Sequence, residues 1–132
     1  MITIEFLVYW AGFVLAMITL ANFIAPGMLG YKENLAKVDT FIRQVFCVHC
    51  GYTVLMLVGM ILACVFYNAE LIANEGLAKG LNIFLAVFWG SRVIVQVVFY
   101  DKAIKKKYPI FNVMFFVAFA YLAVIFTFLT IN

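Results

Sequence analysis

Charge is scarce in this chain: of 132 residues, 11% are Asp, Glu, Lys or Arg, against 68% that are hydrophobic. Soluble domains carry about 25% charged and about 45–50% apolar residues. A soluble domain this small has too much surface to hide two thirds of its residues, and disorder requires low hydrophobicity. Both classes are excluded, which leaves a membrane protein. The sequence also lacks a Gly-rich phosphate loop, a nucleophile elbow and paired carboxylates. Histidine occurs once, as His49, so a conventional triad would need that residue in an unusual setting. Linkers, low-complexity tracts and residue-level repeats are missing too, and residues 1–132 read as a single transmembrane domain.

What is there is four apolar stretches, each near the roughly 20 residues that a helix needs to cross the hydrocarbon core. They run over about 2–25, 44–67, 80–100 and 110–131. The first holds Glu5 as its only charge and is expected to end at Pro26-Gly27; the third holds only Arg92; the second and fourth hold none. Strand-like alternation is absent, so helices are expected rather than a barrel. Met1 to Leu29 contains no Lys or Arg, and its apolar run is too long for a cleaved signal peptide, so a retained helix is expected. The expectation is an all-α integral membrane four-helix bundle. A short interfacial helix is expected over Asn34–Arg43, where Leu35, Val38, Phe41 and Ile42 share helical spacing.

Basic residues are unevenly placed. The loops at 29–43 and 101–109 hold Lys32, Lys37, Arg43, Lys102, Lys105, Lys106 and Lys107, against Lys79 alone on the other side. Lys and Arg are retained on the cytoplasmic face. Both termini are therefore expected outside and both basic loops in the cytoplasm, which for a bacterial chain means the inner membrane. The Lys102–Lys107 cluster reads as a topological anchor with some attraction to anionic lipid, and not as a nucleic-acid site.

This orientation gives a depth to each intramembrane polar residue. At about 1.5 Å per residue, Asn22 and Gln96 lie roughly 6 Å from the cytoplasmic ends of their helices, His49 roughly 8 Å, Tyr52 and Arg92 roughly 12 Å. Asn112 stands near the start of the fourth helix. Most of the polar side chains thus fall in one half of the membrane, with Glu5, Asn82 and some Thr in the other. At about 100° per residue, Asn82, Leu85, Trp89, Arg92, Gln96 and Tyr100 form one stripe of the third helix. His49, Tyr52, Met56, Ala63 and Tyr67 form one on the second. Polar side chains in membrane helices face protein, so the two stripes are expected to face each other. The fourth helix, with Phe111, Phe115, Phe116, Phe119, Phe126 and Phe128, is expected to face lipid.

Arg92 is the focus. A central arginine costs about 2.5–3.5 kcal/mol on insertion scales, yet no acid lies in the same half of any stretch. One reading has it snorkel or bond to neutral groups: Gln96, Asn22, Tyr52, Asn112 or an unprotonated His49. The other has an anion supplied from outside, as a lipid phosphate, a substrate carboxylate or an acid on a partner subunit. His49 reads as a hydrogen-bonded helix histidine; haem ligation there would need a second ligand from elsewhere. No metal site is expected: Cys47 and Cys50 share a helix face, but His49 points about 160° from Cys47. The two thiols read as inert, with a redox pair as the alternative. Gly59 with Ala63 and Ala86 with Gly90 would allow close helix packing.

The run Phe88-Trp89-Gly90-Ser91-Arg92-Val93-Ile94-Val95-Gln96, closing at Phe99-Tyr100-Asp101, together with Arg43-Gln44-Val45-Phe46, resembles a group of small four-helix bacterial membrane proteins of unassigned function. That resemblance implies the fold only. A fainter similarity is to the MAPEG family of membrane glutathione-transferase-like proteins, in whose pattern Arg43, Arg92 and Tyr100 would take places. The Glu-Arg…Arg…Asn pattern before the second helix is missing, and Gln96 stands where a Tyr would help. The leading expectation is a non-catalytic membrane subunit or self-associating bundle. Its cytoplasmic-leaflet site, drawn from Arg92, Gln96, His49, Tyr52, Asn22, Trp89 and Tyr100, would bind a lipid or anionic group. Its partners are membrane lipids, other copies of itself or other membrane subunits, and it needs no cofactor. The alternatives are a MAPEG-like enzyme acting on a lipophilic substrate, with Arg92 holding an anion or thiolate and Tyr52 or Tyr100 assisting, and an oligomeric transporter or channel.

Overall fold

The computed structural model describes residues 2–100 and 102–132, with the backbone alone at Ile104; Met1 and Asp101, the latter at the end of the motif above, lie outside the described residues. Helices dominate, and no strand occurs among the described residues. Four of them are long and apolar enough to cross a membrane, as a multi-pass membrane protein requires.

The first, α1 (Ile4–Met28), starts where the Thr3 hydroxyl accepts from the Phe6 N–H at 3.3 Å. It does not stop at Pro26-Gly27 as expected. Proline forfeits one i→i−4 bond, but the helix ends only two residues later, so little ladder is left to lose. The stop comes at Gly30, whose φ of 65° turns the chain out of the helix. A short helix, α2 (Tyr31–Leu35), follows directly. It replaces the interfacial helix expected over 34–43, because the Asp39 carboxylate caps the next helix by accepting from the Phe41 N–H at 3.0 Å. That helix, α3 (Thr40–Phe66), therefore takes up Phe41 and Ile42 and begins four residues before the apolar run.

Beyond the short α4 (Asn68–Ala73), α5 (Gly76–Ile94) continues as a wider π-helical turn over Val95–Phe99. The short α6 (Lys102–Lys107) leads to α7 (Pro109–Ile131), where proline occupies the first turn that has no bond to lose.

The spans pack in the order α3, α1, α7, α5: α3 lies along α1, α5 along α7, and α1 joins the two pairs through α7. Gly12 permits the first contact, since a Cβ there would stand 3.2 Å from the Cys64 Cβ. Val8, Leu15, Cys64, Leu85, Leu122 and Phe126 are buried at these seams. The fourth span is thus not lipid-facing as a whole: Phe119 and Phe126 are buried and Phe115 is half-buried, while Phe111, Phe116 and Phe128 stay exposed. In a bilayer the packed face need not be more apolar than the lipid face, so hydropathy could not separate them.

Candidate functional site

The two spans at the ends of this order, α3 and α5, do not pack against each other. Between them, toward the end that carries the basic loops, lies a cavity of about 520 Å³ with α1 and α7 as its floor. Sites for drug-sized ligands span about 300–1,000 Å³. All seven side chains singled out from the sequence line it: Asn22 from α1, His49 and Tyr52 from α3, and Trp89, Arg92, Gln96 and Tyr100 from α5 and its end. Only part of each expected stripe borders this space: His49, Tyr52 and Met56 on α3 and Trp89, Arg92, Gln96 and Tyr100 on α5 and its end, whereas Ala63, Tyr67, Asn82 and Leu85 do not. The α3 stripe is not its packed face, which is Leu57, Met60 and Cys64; Tyr52 is 67% exposed and Tyr67 60%.

Arg92 is half-buried, and its surroundings differ from those expected. Its Nη2 donates to the Tyr100 hydroxyl at 3.2 Å, and its guanidinium lies 4.8 Å from the Phe119 ring centre and 5.7 Å from that of Tyr100. Aromatic faces attract a guanidinium through their quadrupole, which partly substitutes for a counter-ion. Gln96, Asn112, Asn22 and His49 bond elsewhere. Gln96 donates from Nε2 to the Asn112 Oδ1 at 2.8 Å, Asn22 to the Ile18 carbonyl at 2.9 Å, and His49 from Nδ1 to the Val45 carbonyl at 2.8 Å. The π turn sets up this arrangement. It carries Gln96 into a buried position toward α7, and the extended Tyr100 after it turns back to reach Arg92. Such turns recur at functional sites.

The walls are aromatic. Trp89, Phe119 and Phe115 form a stacked ladder with ring centres 5.6 and 5.8 Å apart. Trp89 is 2% exposed, and its Nε1–H has no hydrogen-bond partner. Phe119, Tyr108 and Lys105 are cavity residues that the sequence did not reveal. An aromatic on an apolar helix carries no mark of which face it takes. Lys105 reads as one more basic loop residue, yet its Nζ donates to the Val97 carbonyl at 2.6 Å, one of the acceptors left over at a helix end.

A smaller cavity of about 300 Å³ on the other side of Asn22 is lined by Tyr31, Cys47 and Cys50, both thiols being free. Burial raises the Tyr31 phenol above its ordinary value, and the neighbouring Cys50 and Tyr100 add to the shift. No group of three or more His, Cys, Asp or Glu side chains that could hold a metal ion occurs among the described residues. Comparison with protein-family models, curated proteins and solved structures found no match.

Proposed function

We propose that this chain is a small polytopic inner-membrane protein that holds an anionic amphiphile or lipid head group on Arg92, as a non-catalytic subunit or a self-associating four-helix bundle. The excess of Lys and Arg in loops 29–43 and 101–109 supports both termini outside and the cavity in the cytoplasmic leaflet. One observation carries the reading. Arg92 lines a cavity of about 520 Å³ in which no acid is found among the described residues. A cation at membrane depth is retained where it has a partner, and here an incoming anion completes the set.

Native mass spectrometry of the detergent-extracted protein tests this. The wild type is expected to retain a lipid or other anionic amphiphile that Arg92→Leu releases while staying folded by circular dichroism. Equal ligand content in both, or a wild type without bound ligand, refutes it. A second reading, an enzyme acting on a lipophilic substrate, is favoured by the Tyr100 hydroxyl at 3.2 Å from Arg92, which would let the two assist an anion or thiolate together. Turnover of a lipophilic electrophile with a thiol, lost in Arg92→Leu and in Tyr100→Phe, would select that reading.

A further inference from the structure

The shape of the large cavity says more about what it takes. Its lining extends from His49 to Met60 on α3 and from Ile18 to Leu29 on α1. Each of these is eleven residue steps, or roughly 17 Å of helix at 1.5 Å per residue. Spread over that length, about 520 Å³ leaves a mean cross-section of about 30 Å². An alkyl chain at van der Waals separations of about 4–4.5 Å takes roughly 20 Å², so one chain fits abreast within it. At about 30 Å³ per water-sized group, the whole volume corresponds to about seventeen heavy atoms, far fewer than in a two-chain phospholipid.

The charge within is equally restricted. Two cations line the cavity among the described residues, Arg92 and Lys105, the latter also donating to the Val97 carbonyl. The Tyr52, Tyr100 and Tyr108 hydroxyls line it as well, so the described residues offer cations and neutral donors and no carboxylate. That is the complement of an oxyanion. The opening also fits. Because α3 does not pack against α5, and Tyr52 and Met56 are exposed while lining the cavity, the slot is open sideways between two spans, where a lipophile in the bilayer can enter.

We infer that the cavity binds a single-chain amphiphile with an oxyanion head, the head on Arg92 and the chain along the slot. This rests on the anionic-amphiphile reading above and narrows it to one chain. The test uses the full chain in dodecyl maltoside micelles, in a Trp10→Phe background so that Trp89 is the only fluorophore of its kind. Hexadecanoate, monohexadecyl phosphate, methyl hexadecanoate and dioleoyl phosphatidate are titrated while Trp89 emission is followed.

Hexadecanoate, monohexadecyl phosphate or both are expected to shift the emission saturably, and the one that binds identifies the head. The uncharged ester is expected to bind at least about tenfold more weakly, the weight of one charge-assisted hydrogen bond. Arg92→Gln is expected to abolish the preference for acid over ester. The ester comparison needs no variant and stands even where Arg92→Gln fails to fold. If phosphatidate binds as tightly as either single-chain anion or tighter, the one-chain inference is overturned while the anionic-amphiphile reading survives. If no anion is preferred over the ester, both fall.

Discussion

Tyr100→Phe removes a single oxygen from the surroundings of Arg92 and leaves everything else in place. The bond it deletes, Arg92 Nη2 to the Tyr100 hydroxyl, is 3.2 Å long, at the far end of the ordinary range of about 2.7–3.2 Å. Bonds to charged groups contribute about 1.5–3 kcal/mol in water-soluble proteins. Inside membranes, however, even hydrogen bonds between helices average about 0.6 and reach about 1.7 kcal/mol, because the unfolded chain in the bilayer also finds partners. The same competition applies to this bond within α5 and its π-helical end. A long bond on a half-buried guanidinium belongs near the middle of the membrane range, so a loss of about 1 kcal/mol is expected. Both ring contacts, 4.8 Å to Phe119 and 5.7 Å to residue 100, survive when the new ring is phenylalanine, and they do not enter the difference.

A double-mutant cycle with Arg92→Met isolates the pair. Unfolding of the four proteins by added dodecyl sulfate in mixed micelles, followed by far-ultraviolet circular dichroism, is expected to give a coupling of about 1 kcal/mol. A coupling indistinguishable from zero refutes the bond as a determinant of where the guanidinium sits. The same variant has a second, opposite effect. With Tyr100 no longer an acceptor, one guanidinium N–H is released toward the cavity, so hexadecanoate binds Tyr100→Phe at least as tightly as the wild type while stability falls. A parallel fall in affinity and stability would show that the Tyr100 hydroxyl contacts the anion itself.

Two further perturbations address the frame around the cavity. Gly12→Leu places a side chain where even a Cβ would be 3.2 Å from the Cys64 Cβ, and overpacking of this kind costs about 1–3 kcal/mol, measured by the same unfolding titration; unchanged stability would mean that α1 and α3 are not held at this point. Tyr31→Phe keeps the ring contact with Phe46, 5.5 Å between centres, and removes a phenol whose proton is held more tightly in the folded chain than in the unfolded one. Above about pH 10 the unfolded state releases that proton first, so the stability it supports is complete at neutral pH and is lost as pH rises through the raised value. The variant is expected to lose less stability than the wild type between neutral pH and pH 11 or so, and identical pH profiles would refute the assignment.

The four spans were legible because hydropathy measures length, and length is what a bilayer demands. The candidate site was legible for a related reason: lipid leaves so few polar side chains that the seven chosen by depth and helical face all line one cavity. Three features were not legible. Helix ends depend on single side chains and backbone angles, as with Asp39 and Gly30, and these moved boundaries by up to four residues. The packed face of α7 carries the same Phe and Leu as its lipid face, so Phe119, which supports Arg92, looked like any other lipid-facing ring. The order of packing was hidden as well. Antiparallel neighbours in sequence usually neighbour in space, yet α3 and α5 stand apart here.

Their separation has a cause at the opposite end from the cavity. The connection between α3 and α5 is itself a helix, α4, and side-chain amides fix it in place. Asn68 donates to the Glu5 and Cys64 carbonyls at 3.2 and 3.3 Å, Asn74 to the Thr130 carbonyl at 3.1 Å, and Asn82 to the Leu71 carbonyl at 2.8 Å and the Asn74 Oδ1 at 3.1 Å. α4 touches α1, α3 and α5, so it acts as a spacer where a tight turn would have drawn the two spans together. Asn82, fully buried, ties α5 to that spacer. Asn82→Leu keeps the volume and removes both bonds, leaving the Leu71 carbonyl and the Asn74 Oδ1 without that donor. It also removes the Asn82 Oδ1, a buried acceptor with no partner, which offsets part of the loss. Two membrane bonds at about 0.6 kcal/mol each, set against that relief, leave a net destabilisation of about 1 kcal/mol or less. If α4 sets the spacing, the variant also weakens hexadecanoate binding although it lies outside the cavity, since a slot that is no longer held open must be ordered on binding. A variant with undiminished affinity would show that the walls hold themselves apart and that the amides of α4 only satisfy one another.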